Sequence, residues 1–200
     1  MKVRWWAIVI LVAIAVAYVF VIHLRRAGLS ARSLPPAWEA LTATQIRRWT
    51  VPAAARKLAN PIAATSETLA RGRAHWADHC ATCHANNGSG ETEMGRNLYP
   101  KAPDMRTAGT QSLTDGDLYY IIRNGVPLTG MPAWGDPSLG DNDSETWMLV
   151  SFIRRLPSLT PEEEAAMEKL NPKSTMEREE EQEEEDFLNG KTPMENGHAH

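Results

Sequence analysis

The chain has 200 residues, a mass of 22.2 kDa and a formal net charge of −4, so it has room for one ordinary domain and some additional segments. A sequence pI of about 5.9 argues against a nucleic-acid-binding protein, because that class usually carries a strongly basic surface. The only two cysteines are Cys80 and Cys83, which excludes a disulfide-rich scaffold and a four-cysteine zinc or iron–sulfur site.

The small net charge hides an uneven distribution along the chain. Residues 1–156 contain 17 Lys and Arg against 12 Asp and Glu, whereas residues 157–200 contain 4 against 13. Each segment therefore needs its own interpretation. The patterns divide the chain into an N-terminal anchor, a basic connector, a globular domain and an acidic tail, at residues 1–24, 25–61, 62–157 and 158–200 respectively.

The anchor contains an apolar segment without Asp, Glu, Lys or Arg from Trp5 to Leu24. As a helix this segment is long enough to cross the ~30 Å hydrocarbon core of a bilayer. The alternative is a cleaved signal peptide, but the segment exceeds the usual ~7–15 apolar residues and no A-x-A cleavage pattern follows it. We therefore predict an uncleaved transmembrane helix. Basic residues flank both of its ends, so the charges alone do not set its orientation.

The connector carries seven basic residues and a single acid, Glu39, and is interrupted by prolines. A short helix is predicted from Pro36 to Trp49, because proline is favourable at the start of a helix. Such a basic segment can be a solvated spacer, lie against anionic lipid headgroups, or dock Trp38 and Trp49 on a partner subunit. The scarcity of large apolar side chains favours the spacer.

Helical spacing dominates the globular domain, and no alternating strand pattern is present. Apolar periodicity predicts three helices, at residues 65–79, 114–124 and 143–156. Ser66, Thr114 and either Asp143 or Ser144 are the expected N-caps, and Pro157 is expected to end the third helix. The domain is therefore predicted to be all-α.

The sequence Cys80-Ala81-Thr82-Cys83-His84 has the C-x-x-C-H spacing of a c-type haem attachment. Two thiols one helical turn apart can bond to the two vinyl groups of one haem, and the adjacent His84 can ligate its iron. A redox dithiol would require a βαβ context, and a zinc site would require two further ligands. His75 and His79 lie nearby, but haem attachment is the favoured interpretation.

Met131 is the predicted second axial ligand, because it lies in a loop stiffened by prolines and glycine, and thioether ligation suits haem iron. Three other methionines compete. Met148 falls within a predicted helix, and Met94 follows His84 too closely to reach across the haem. Met105 remains an open alternative.

Together these features resemble class I c-type cytochromes, and more narrowly the bacterial membrane-anchored monohaem cytochromes c. The resemblance covers about residues 60–159 and rests mainly on the C-A-T-C-H run and the loop from Thr129 to Trp134. It implies a cytochrome c fold, in which three or four helices surround one covalently bound haem c. It also implies that Gly72 and Trp76 lie where the first and last helices cross.

The resemblance implies one-electron transfer in a respiratory chain, with His84 and Met131 as axial ligands and no substrate chemistry of its own. The haem domain would face the periplasm from the bacterial inner membrane, and the partners would be redox proteins and the lipid bilayer, not nucleic acid. Two alternatives stay open: a haem subunit docked in a larger oxidoreductase complex, or a ligand sensor in which Met131 is displaced.

Members of this family also supply a backbone carbonyl to Nδ1 of the proximal histidine, from a loop with a Gly-Pro-x-Leu-type pattern. In this chain the loop reads Gly95-Arg96-Asn97-Leu98, with Arg96 where proline is common, so no carbonyl is assigned. Tyr99, Arg106 and Trp134 are candidates for contacts with the haem propionates or the haem edge.

The tail is strongly acidic, with eight acids among the ten residues from Glu177 to Asp186. A short helix at 160–170 is predicted, followed by disorder, because like charges repel and little apolar material is available. The tail can steer a basic partner, and His198 and His200 can bind metal loosely. A solvated, disordered terminus is the favoured interpretation.

Overall fold

The computed structural model describes residues 2–28, 30–173 and 175–189, and every regular element within them is helical. This confirms the all-α prediction. The α-helices are α1 (Lys2–Ala27), α2 (Ala37–Thr50), α3 (Ala53–Arg56), α4 (Ser66–His75), α5 (Ala81–His84), α6 (Glu93–Asn97), α7 (Ala108–Gln111), α8 (Asp115–Asn124), α9 (Ser144–Arg155), α10 (Pro161–Glu168) and α11 (Thr175–Leu188). A π-helical turn (Trp76–Cys80) joins α4 to α5, and 3₁₀ turns flank α9 at Pro137–Asn142 and Leu156–Ser158.

Helix α1 contains a span long and apolar enough to cross a membrane, Trp5–Arg26. It is the one helix of that kind among the described residues, and none of the span is buried against the rest of the chain. The exposed apolar surface fits a single-pass membrane anchor, because in water such a helix would leave its hydrophobic side chains unburied.

The core forms where α4 crosses α9. Gly72 of α4 lies directly against the backbone of α9, and a Cβ atom there would come within 2.9 Å of the Met148 carbonyl carbon and closer to its oxygen. Beside this contact, the rings of Trp76 and Phe152 pack with centroids 5.8 Å apart. The structure thus confirms the expected crossing at Gly72 and Trp76.

The N-caps follow the predicted pattern with one exception. Thr114 and Asp117 form a reciprocal capping box at α8, and Asp143 accepts from the Thr146 amide (3.1 Å) at α9. At α4 the cap is Thr65, whose hydroxyl accepts from the Thr68 amide (3.2 Å), so the prediction of Ser66 was wrong by one residue. Adjacent hydroxyl residues are equivalent in sequence, and only the backbone angles at Thr65 distinguish them.

The connector is packed on the domain instead of forming a free spacer. Val51 is buried, and the Arg56 guanidinium donates to Asp117 (3.1 Å) on α8. Further along, the Asn60 amide donates to the Trp147 carbonyl and to the Ser151 hydroxyl, both at 2.9 Å, on α9. The spacer interpretation therefore does not describe residues 51–60.

The tail begins as part of the domain. Helix α10 starts with a capping box at Thr160, and Met167 is fully buried in the core. Helix α11 occupies a stretch that was predicted to be disordered. This exposed, acidic stretch is helical because glutamate has a favourable helix propensity. His198 and His200 lie outside the described residues, so the predictions for the end of the tail concern residues that the structure does not describe.

We expect Gly72→Ala to destabilise the domain, because the new methyl group would overlap the Met148 carbonyl and force α4 away from α9. The expected loss in the free energy of unfolding is about 1–3 kcal/mol, measured by chemical denaturation of the haem-loaded protein in detergent. The control is Gly109→Ala, where the new Cβ atom would lie 3.6 Å from the Thr107 hydroxyl oxygen, an ordinary van der Waals contact. Equal stability of the two variants would show that the helices do not depend on this close approach.

Candidate functional site

The C-x-x-C-H segment begins on a π-helical turn and ends in a tight bend. Residues Trp76–Cys80 form the π-helical turn, and α5 then carries Cys83 and His84. Ala85 ends the helix with a φ of 62°, and its carbonyl accepts from the Trp76 indole nitrogen (3.1 Å). Short π-helical insertions often accompany functional sites, because they re-aim the side chains that follow.

A cavity of about 450 Å³ lies beside this segment. Cys80, Cys83, His84 and Met131 all line it, so the structure brings together the four site residues named from the sequence. The walls come from six parts of the chain: α2, the C-x-x-C-H segment, residues 98–113, α8, the Met131 loop and α9. The volume is within the roughly 300–1,000 Å³ usual for cofactor sites.

His84 presents an incompletely satisfied ring to this cavity. Its Nδ1 atom is buried and makes no hydrogen bond of normal geometry. Burial lowers the pKa of His84, while the backbone of Pro103 opposes that shift. We interpret Pro103 as a carbonyl that approaches Nδ1 without completing a hydrogen bond in this structure. A neutral imidazole beside an acceptor carbonyl is the form that ligates metals.

Pro103 lies outside residues 95–98, the segment from which no carbonyl was assigned. A proline followed two residues later by a long apolar side chain occurs at Pro103 and Met105, several residues further along the chain. Gly95, from the segment first considered, instead contacts the Cys83 carbonyl and Gly90, where a Cβ would overlap backbone oxygens. The signal was present in the sequence, but local pattern alone did not show which loop reaches the imidazole.

The four candidate methionines differ in position. Met94 is 52% exposed and Met148 packs within α9, and neither lines the cavity. Met105 and Met131 both line it. The Met105 amide donates to the Gly88 carbonyl (2.8 Å), which ties this residue to the chain just after α5 and to the His84 wall.

Met131 belongs to a different wall of the cavity. Its carbonyl accepts from the Val126 amide (3.1 Å), and its own amide donates to the Thr129 hydroxyl (3.1 Å). Gly125, at a φ of 67°, lets the loop fold back on the end of α8, since a Cβ there would be 2.7 Å from the Pro132 backbone. Met131 is therefore held at a place separate from the His84 wall.

The two thiols do not have the properties of a redox dithiol. Burial, and then the neighbouring Cys83, raise the pKa of Cys80 to about 12, and burial also raises the pKa of Cys83. Reactive cysteines have lowered pKa values, because the thiolate is the nucleophile. Among the described residues no group of three or more His, Cys, Asp or Glu side chains is arranged to hold a metal ion.

His75 and His79 are engaged outside the predicted ligand set. The His79 ring stacks on Trp134 with centroids 5.3 Å apart, and His75 lies 3.5 Å from a Glu145 carboxylate oxygen. Trp134 and His79 both line the cavity, so an edge contact of Trp134 stays a prediction.

The other two candidates for propionate or edge contacts have partners elsewhere. Arg106 makes a bidentate ion pair with Asp104, at 2.9 and 2.8 Å. The Tyr99 hydroxyl donates to Glu39 of α2 (2.6 Å). Neither residue lines the cavity, whereas Arg47 and Arg48 of α2 do. Sequence analysis missed these two arginines because they precede the domain, although their spacing from Thr44 would place all three on one helix face.

The residues present fit a covalently bound haem. Two thiols and an imidazole from one short segment face a mainly apolar cavity, a methionine enters from another wall, and a buried imidazole nitrogen is left for an acceptor carbonyl. These are the ligand types and the environment that c-type haem requires.

Comparison with known proteins agrees with this geometry. Residues 67–153, less than half of the chain, match the family described as cytochrome c oxidase, cbb3-type, subunit III. The matched range contains the C-x-x-C-H segment, the Met131 loop and most of α9. No curated protein matches the chain.

Proposed function

We propose that this chain, a c-type cytochrome with covalently bound haem c, is a membrane-anchored one-electron carrier that faces the periplasm from the bacterial inner membrane. The observation that carries the proposal is the convergence of Cys80, Cys83, His84 and Met131 on one cavity. When bound, the haem supplies an iron that alternates between the Fe(III) and Fe(II) states. The protein supplies attachment, ligands and a largely apolar surrounding.

Each of the four residues has a distinct role in this proposal. Cys80 and Cys83 form thioethers and thereby fix the cofactor to α5 and the preceding turn. His84 would ligate through Nε2, since its Nδ1 is buried and the backbone of Pro103 is the polar group that acts on the imidazole. Met131 provides a sulfur ligand from the loop after α8, and this His/Met pairing raises the reduction potential of a haem.

Two protein ligands on the iron favour electron transfer over substrate chemistry. Two backbone hydrogen bonds close the Met131 loop: the Val126 amide donates to the Met131 carbonyl, and the Trp134 amide donates to the Ile122 carbonyl (3.1 Å each). This closure opposes displacement of the Met131 sulfur. A ligand-sensor role would require this loop to open. Binding of carbon monoxide by the reduced wild-type protein under mild conditions would favour the sensor.

The periplasmic location is supported by the resemblance to bacterial c-type cytochromes. An anchor helix comes first and the haem domain follows. The resemblance to bacterial cytochromes c implies that haem is attached on the outer side of the inner membrane. In the proposed orientation the N-terminus lies in the cytoplasm and α4 to α10 lie in the periplasm.

A role as a fixed subunit of a respiratory complex is compatible with the same site. The matched family is described as an oxidase subunit, and Trp38 and Trp49 of α2 are 67% and 86% exposed. Extraction in a mild detergent tests this role: stoichiometric co-purification of other subunits would support it, and isolation of the chain alone would favour a free carrier.

The double variant Cys80→Ala/Cys83→Ala is expected to carry no covalent haem, because no other cysteine is present to form a thioether. Haem staining on a denaturing gel measures this directly. Wild-type protein expressed in parallel is the positive control. Staining of the double variant at the wild-type level would contradict the assignment of the attachment site.

Replacing Met131 with alanine is expected to leave the covalent haem in place but lower its reduction potential, on the order of 0.1 V within the roughly 0.8 V range that axial ligands set. The long-wavelength absorption band of sulfur–iron ligation should disappear from the oxidised protein. Met105→Leu is the matched control, because Met105 lines the same cavity from the His84 wall. A band lost in the Met105 variant and retained in the Met131 variant would exchange the two assignments.

A further inference from the structure

Helix α2 of the connector forms one wall of the haem cavity. Thr44, Arg47 and Arg48 line it, at spacings of three and four residues that place them on one face of the helix. This wall precedes the matched cytochrome domain, which begins at residue 67. The cavity is therefore completed by a segment that lies between the membrane anchor and the domain.

Contacts near both ends hold α2 in this position. Near its start, Glu39 accepts a hydrogen bond from the Tyr99 hydroxyl (2.6 Å), which comes from the loop beside the cavity. Near its end, the carbonyl of Arg48 accepts from the Arg56 guanidinium. Arg56 in turn donates to Asp117 of α8 (3.1 Å), so this end of α2 is linked to the domain through one side chain.

The segment after α2 is packed closely enough to limit its movement. Helix α3 lies on α8 at Gly116, where a Cβ would overlap the Ala55 carbonyl oxygen. The Thr114 hydroxyl donates to the Arg56 carbonyl (3.1 Å), and Val51 is only 6% exposed. The segment after α2 is thus packed on the domain, and α2, which buries none of its own residues, is held by the Tyr99–Glu39 and Arg56–Arg48 hydrogen bonds.

The two arginines on this wall are not ion-paired, although the Asp117 carboxylate, which pairs with Arg56, also attracts Arg47 electrostatically. Among the described residues, neither the Arg47 nor the Arg48 side chain makes a hydrogen bond or an ion pair. Arg47 is partly buried, and its pKa is lowered by that burial and by the adjacent Arg48 charge, while the Asp117 charge opposes the shift. Arg48 is exposed to solvent, so the cost of burying a positive charge falls on Arg47, which an anion in the cavity would offset.

Other charged groups around the cavity do not supply that anion. His79, His84 and Lys101 also line it and carry no negative charge. Asp104 lines it as well, but both of its carboxylate oxygens are bound by Arg106. Arg47 and Arg48 therefore line, without an ion pair, a cavity that fits a cofactor with two carboxylates.

We propose that Arg47 and Arg48 bind the haem propionate carboxylates, so that the connector helix α2 is a structural part of the haem site. Guanidinium groups suit this role, because their planar forks bind carboxylates with two parallel hydrogen bonds. The inference rests on the proposed function, since it requires haem in the cavity. The connector would then bind the haem propionates as well as join the anchor to the domain.

An electrostatic consequence follows from these positions. The reduced haem carries one positive charge fewer than the oxidised haem, so nearby cations favour the reduced state and raise the reduction potential. Removal of the two positive charges should lower that potential. A merely structural wall would not respond to charge in this way.

The test compares three double variants of the full-length chain in detergent, by redox titration of the haem absorbance. Arg47→Gln/Arg48→Gln removes both charges from the cavity wall, and Arg47→Lys/Arg48→Lys keeps them. Arg32→Gln/Lys57→Gln is the matched control, because it removes two connector charges from residues that do not line the cavity. Covalent haem on a denaturing gel is recorded for each.

We expect the Gln/Gln variant to show a several-fold lower ratio of reduced to oxidised haem at a fixed potential, where a tenfold change corresponds to about 59 mV for one electron. The Lys/Lys variant and the control should remain near the wild-type potential. Loss of haem from the Gln/Gln variant alone would also support the inference. Both double variants lack the guanidinium groups, but only the Lys/Lys variant keeps the two positive charges.

Two outcomes would overturn the inference. One is a Gln/Gln potential equal to that of the control, and the other is a Lys/Lys potential lowered as far as that of Gln/Gln. Either result would leave the proposed function standing, provided that the wild-type protein carries covalent haem and responds to Met131→Ala. Wild-type protein without covalent haem would instead contradict the proposed function itself.

Discussion

The close approach of α4 to α9 at Gly72 is the contact on which the rest of the domain depends. Because no side chain separates the two helices there, Trp76 reaches Phe152 and the next turn of chain carries Cys80 against the same core. The π-helical turn then re-aims the thiols and His84 toward the cavity. A local steric constraint on one glycine thus sets the position of the attachment segment.

The cavity divides its chemistry between separate walls. The His84 wall includes the Pro103 carbonyl and Met105, while Met131 comes from a loop that is closed on the end of α8. One iron needs ligands on opposite sides, so this separation matters more than the identity of any single methionine. The third contribution is the basic face of α2, which balances a cofactor that brings its own negative charge.

The connector belongs structurally with the haem domain and is not a separate linker. By composition it is a basic segment next to a membrane anchor, and a solvated spacer is the simplest interpretation of such a segment. In the structure the connector arginines have different positions. Arg56 pairs with Asp117 on α8, whereas Arg47 and Arg48 line the cavity. The electron carrier therefore comprises more than the matched domain, and the link to the membrane shares a helix with the proposed haem site.

The sequence by itself determined the helical class and the apolar anchor and predicted four residues that line one cavity, because periodicity, capping residues and the C-x-x-C-H spacing act over a few neighbouring positions. Only the tertiary structure decided that Pro103 approaches His84, that Met105 belongs to the His84 wall and that Arg47 and Arg48 line the cavity. Those relations join residues tens of positions apart. They depend on how α2, α8 and α9 pack, and no local pattern records such packing.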